Sequence, residues 1–208
     1  MKTKLLSMAM AAIMAVTCLA GCSAGSAGDP MVDAAKKYGM KELGEIKEIT
    51  NLSIPTEDGS GYYVSKDEKE ADYMTLAFGG KDPGAADDIK TEKFVMCIDS
   101  NLLSREPGSA TTTITQATLK DEDSAKKLYE AAASNINDRF DGVTKGEENG
   151  ITYSITYDGD DASQRFSGVY LKGNTVYRIY CMGLGDHDGK CTESFCKDLG
   201  LVSPLTLK

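Results

Sequence analysis

The chain has 208 residues, 41% of them hydrophobic, with 23 basic against 32 acidic side chains and a formal net charge of −9. That length suits one domain or two small ones, and the apolar content is enough for a core, which argues against wholesale disorder. The acidic balance argues against a nucleic-acid partner, which takes a basic stripe, and against a polybasic membrane-binding surface.

Lys2 and Lys4 precede an uncharged apolar run from Leu5 to Leu19. A charged start followed by an apolar stretch of about 7–15 residues predicts a secretory signal; a membrane span takes about 18–20. The run ends in Leu19-Ala20-Gly21-Cys22. This tetrapeptide resembles the lipobox of bacterial lipoproteins at all four positions. The resemblance implies that residues 1–21 are removed as a signal peptide. Cys22 then becomes the mature N-terminus and carries a diacylglycerol with palmitate-type chains. The implied partner is the membrane, reached through that lipid, and the implied location is the extracytoplasmic side of the cell membrane. Two acyl chains anchor stably where one binds marginally. Removing residues 1–21 leaves 21 basic against 32 acidic residues, net −11 over 187 residues. Such a charge is repelled by anionic lipid, so the folded part is expected to face water. Ser23 to Pro30, SAGSAGDP, reads with Cys22 as a flexible tether. Its eight residues reach at most about 26–29 Å.

Residues 31–208 read as one α+β domain. Asp29-Pro30 opens a helix whose apolar face is Met31, Ala34, Ala35 and Tyr38. Ile46 to Ile54 reads as a strand ending at Pro55, and Tyr62-Tyr63-Val64 as a short one. Tyr73 to Phe78 fits either period; Met74, Leu76 and Phe78 favour a strand. Phe94–Ile98 and Thr111–Leu119 are apolar or β-branched strands. Asp121 to Phe140 is the clearest helix, with Ala125, Leu128, Ala132, Ala133 and Ile136 on one face and acids in the first turn. Three strands follow, Ile151–Tyr157, Arg165–Leu171 and Thr175–Met182, the last two joined at Lys172-Gly173-Asn174. A last helix covers Lys190 to Leu199, with Gly200 as its stop. The expectation is a largely antiparallel sheet of about eight strands with about three helices. The order of helix, hairpin strands and final helix over residues 110–200 is similar to the back half of PsbP-like α/β/α sandwiches. That likeness rests on element order and transfers no site.

Four cysteines would remain in the mature domain: Cys97, Cys181, Cys191 and Cys196. In an oxidising compartment a disulfide can persist, and Cys181 to Cys191 or Cys196 is the candidate bridge. Cys97, inside an apolar strand, reads as a buried thiol. His187 is the only histidine, and Asp186, His187 and Asp188 make a weak candidate metal loop. They lack both a second histidine and a full ladder of oxygen ligands, so a polar loop capping the last helix is favoured and no metal or other cofactor is expected. Cys181 or Cys191 as thiolate, His187 as base and Asp186 or Asp188 as orienter would be the residues of a thiol enzyme. No recurring catalytic motif supports it. The acidic pairs Asp87-Asp88, Glu147-Glu148 and Asp160-Asp161 read as solvated loop charge. Tyr153, Tyr157, Tyr170, Tyr177 and Tyr180 crowd the last strands, and core and cross-strand packing is the favoured reading over a ligand-stacking platform. The expected function is a lipid-anchored, non-catalytic binding or accessory domain with an unidentified protein or small-molecule partner. A small thiol enzyme and a metal- or ligand-capture lipoprotein are the alternatives.

Overall fold

The computed structural model describes residues 28–54, 56–81, 88–160 and 162–208. The expected signal peptide, the lipobox-like segment with Cys22, most of the expected tether, Asp87 and Asp161 lie outside the described residues.

Asp29 caps α1 (Pro30–Tyr38) with its carboxylate, accepting from the backbone N–H of Met31 at 2.9 Å and Val32 at 3.3 Å. Its second oxygen accepts from Gln116 Nε2 at 2.9 Å and Lys93 Nζ at 2.8 Å. Burial alone would raise the Asp29 pKa, but the hydrogen bonds and charge of Lys93, with Val32 N–H and Gln116, outweigh it and hold the carboxyl below its usual value. Gly39, in the left-handed region at φ 96°, closes the helix. The chain continues through β1 (Lys41–Glu42), α2 (Ile46–Ser53), β2 (Gly59–Val64), α3 (Glu68–Phe78), β3 (Thr91–Ser100) and β4 (Ala110–Leu119). Then come α4 (Glu122–Asn137), β5 (Thr144–Glu148), β6 (Ile151–Gly159), β7 (Ser163–Lys172), β8 (Thr175–Leu184) and α5 (Lys190–Leu199).

The eight strands form one open sheet in the order β1-β2-β3-β4-β8-β7-β6-β5. Every neighbouring pair is antiparallel except β1 with β2. The fold is α+β, as expected, but the described residues hold five α-helices where about three were anticipated. Both of the extra helices replace expected strands. Ile46–Ser53 is helical because Glu45 and Glu48 form a reciprocal capping box and Ile49 and Leu52 fall on one buried face. Glu68–Phe78 is helical because Asp67 accepts from Glu70 N–H at 2.9 Å and Ala71, Met74 and Thr75 share a face. Two unanticipated strands, the short β1 and the polar β5, restore the count to eight. Glu147 and Glu148 lie in β5 rather than in a loop.

The strict period of two sorts side chains into two cores. On β3, Val95 and Cys97 face one helical layer while Phe94, Met96 and Ile98 face the other. The first core joins α1 and α5 to the sheet through Met31, Ala35, Phe195 and Leu199. The second joins α2, α3 and α4 through Ile49, Met74, Leu128 and Ile136. Helices thus cover both faces of the sheet.

Candidate functional site

The Asp186–Cys191 segment and the thiols expected from the sequence do meet, at the end of β8 on the α1/α5 face. After Leu184 the backbone turns at Gly185, φ 61°, and folds His187 back over its own strand. Gly183 makes this possible: a β-carbon there would lie 2.2 Å from His187 Cδ2. The imidazole packs against Phe166 with ring centroids 5.5 Å apart, and Nε2 stands 3.6 Å from Cys181 Sγ. Thr112 Oγ1 donates to the same sulfur at 3.3 Å.

The pair is sealed rather than primed. Cys181 is fully buried and His187 is 5% exposed. Burial pushes the Cys181 thiol up to about 12 and, with Lys208 nearby, pushes the imidazole down. Both shifts favour the neutral forms, opposite to a thiolate–imidazolium pair. Neither neighbouring carboxylate is placed to orient the ring. Asp186 accepts from Gln164 Nε2 at 3.0 Å and pairs with Lys208; Asp188 accepts from Lys190 N–H at 3.1 Å and pairs with its ammonium. These contacts and the positive charges hold both carboxyls below their usual values. Asp186, His187 and Asp188 do not converge, and no group of three metal-ligating side chains occurs among the described residues.

No bridge joins Cys181 to Cys191 or Cys196, because each sulfur faces a different partner. All four described thiols are free and buried. Cys196 lies against Ser203 and Tyr170, where burial pushes its thiol up to about 12; burial also raises Cys97 and Cys191. A cleft of about 140 Å³ opens beside this cluster, lined among others by Tyr38, Asp99, Thr112, His187 and Cys191. The Tyr38 hydroxyl donates to Asp99 at 2.8 Å across it. The tyrosines form no common platform: Tyr153, Tyr157, Tyr170 and Tyr177 pack in the α1/α5 core, whereas Tyr180 emerges on the other face.

That other face carries a larger groove, of about 610 Å³, that sequence reasoning missed. The C-terminal ends of α2, α3 and α4 border it over the central strands of the sheet. Its floor follows the strand register, with Met96, Thr115 and Arg178 in one row and Thr113 beside Tyr180 in the next. Ile54, Leu76 and Phe78 supply apolar walls, and the exposed Arg139 and the buried Lys81 also line it. The available signal was Arg178, a lone charge inside a strand that otherwise reads as core.

No protein-family model matches the chain, and no curated protein matches it. Among solved structures, the extracellular domain of PknH from Mycobacterium tuberculosis is similar over 76% of this chain and 91% of that one, at 13% identity and a TM-score of 0.42. A likeness that distant identifies neither a fold family nor a function. No described helix is long and apolar enough to cross a membrane.

Proposed function

We propose that the chain is a lipid-anchored, extracytoplasmic, non-catalytic binding or accessory domain of a bacterial cell envelope. Anchoring rests on the lipobox-like Leu19-Ala20-Gly21-Cys22. The non-catalytic reading is carried by one observation: the His187–Cys181 contact is buried and both groups are shifted towards neutrality. A nucleophilic cysteine is instead exposed enough to meet substrate and held as thiolate.

Replacing Cys22 by Ala is expected to move the chain from the membrane to the soluble fraction. The mature wild-type protein should carry a diacylglycerol mass on a chain beginning at Cys22. An unmodified N-terminus, or a Cys22→Ala chain still in the membrane, would remove the anchoring reading.

The second reading, a thiol enzyme, is favoured only by the 3.6 Å approach of Cys181 to His187. Alkylation against pH separates the two. The raised thiol pKa values mean that Cys97, Cys181, Cys191 and Cys196 stay protonated through neutral pH and ionise only in strong alkali. In the native protein all four should resist iodoacetamide at pH 7–9, and all should react once the chain is unfolded without a reductant. Rapid native labelling of Cys181 near neutral pH would revive the enzyme and sink the binding module.

A further inference from the structure

Arg178 is a problem for the fold to solve. It sits on the central strand β8, half-buried, where a charge is costly unless it is paired. Among the described residues no carboxylate lies within ion-pair distance of it or of Arg139. Its one hydrogen bond runs from Nη1 to the Phe78 carbonyl at 2.8 Å, at the end of α3. A guanidinium has five N–H donors, so most of its capacity still faces the groove. Burial lowers the Arg178 pKa to about 10, the nearby charge of Arg139 acting in the same direction, and Arg178 still remains charged at neutral pH. Lys81 adds a third cation, whose ammonium donates to the Ile89 carbonyl at 2.7 Å and lies 3.9 Å from Asp72.

A simpler account makes Arg178 only a cap for α3. A helix C-terminus carries about half a negative charge and accepts such a donor well. Capping explains the bond to Phe78. It does not explain why a second guanidinium is brought alongside in a chain of net charge −9. Nor does it explain why the Thr113 and Thr115 hydroxyls on the same floor have no hydrogen-bond partner in the protein among the described residues. Arginine forks match carboxylate and phosphate oxygens, and the hydroxyls add further donors. The walls are apolar, with Ile54 67% and Leu76 39% exposed. The groove volume lies within the roughly 300–1,000 Å³ of small-molecule sites.

We infer that this groove binds a small amphiphilic anion, its carboxylate or phosphate held by Arg178 and Arg139 and its apolar body lying against Ile54, Leu76 and Phe78. The inference rests on the binding-module reading and supplies its ligand class. Such an anion could come from a phospholipid headgroup or from a free small molecule.

The test uses residues 23–208, since both buried clusters are built from side chains within residues 28–208. Octyl phosphate and octanoate are titrated calorimetrically against octanol, which has the same body without the charge. At least one anion should bind saturably and at least tenfold more tightly than octanol. Arg139→Gln alters an exposed side chain and should leave the melting temperature of the empty protein unchanged while weakening the anion about tenfold or more. Arg178→Gln should weaken it further, and Arg178→Lys should rescue only part, because an ammonium cannot fork. Sedimentation with phosphatidylglycerol vesicles then separates the sources. Capture that depends on Arg139 assigns a lipid headgroup, and binding of the free anions alone assigns a soluble ligand. No saturable binding, octanol binding as tightly as the anions, or an Arg139→Gln protein that binds like wild type would overturn the inference. The binding-module reading would still be judged separately by thiol alkylation.

Discussion

Phe195→Ala is expected to cost about 3–5 kcal/mol of folding stability, the range for truncating a fully buried phenylalanine. Phe195 is 0% exposed on α5, packs on Tyr38 of α1 with centroids 6.0 Å apart, and belongs to the core shared by both helices and the sheet. A domain is typically stable by only about 5–15 kcal/mol, so the loss would be a large part of the total. Urea denaturation should show a lower midpoint with the slope retained, and Phe195→Leu should recover most of the difference. A cost below about 1 kcal/mol would mean that the α1/α5 layer is not packed as described.

Gly183→Ala tests the fold-back of His187. The added methyl would overlap the imidazole at 2.2 Å from Cδ2 and 2.8 Å from Nε2, so the ring must leave its place over Cys181. Overpacking of this kind costs about 1–3 kcal/mol. It should also open Cys181 to alkylation, a readout that general destabilisation would spread over all four thiols. The clash belongs to one partner. In a His187→Ala background the same Gly183→Ala change should therefore cost little, giving a coupling energy of about 1 kcal/mol or more in the double-mutant cycle. Additive losses would show that something other than His187 fills the space.

The C-terminal half of this fold is legible in its sequence, and the reason is burial. α4 carries a full apolar stripe and an Asp121 cap, β6 to β8 alternate over a buried sheet, and α5 has the expected bounds up to Gly200. The N-terminal half misleads because α2 and α3 are short and expose part of their apolar surface. Ile46 to Ile54 suggest a strand by alternation and by the proline that follows, and Met74, Leu76 and Phe78 suggest one by their period of two. Tyr73 and Leu76 are in fact exposed, and the helical face is Ala71, Met74 and Thr75. The capping pairs Glu45/Glu48 and Asp67/Glu70 were the better guide, since they report the backbone directly. At the sites the contrast is similar. The approach of His187 to Cys181 follows from six residues of local chain and a glycine, whereas the Arg139–Arg178 groove joins a helix end to a central strand and is visible only once the sheet order is known.

The two borders of the sheet bear on how the protein behaves in a crowd. An open sheet ends in rows of unpaired amides and carbonyls that can template a further strand from another molecule. Here one border, β1, is only two residues long and paired in parallel, too short to hold a visitor. The other, β5, is Thr-Lys-Gly-Glu-Glu, almost wholly exposed and dense in charge, so an incoming strand would have to desolvate Lys145, Glu147 and Glu148 for a few backbone bonds. The long apolar strands β3, β4, β8 and β7 are held in the middle, flanked by neighbours on both sides. Copies concentrated side by side would meet at their least adhesive borders, a built-in resistance to fibril-like stacking.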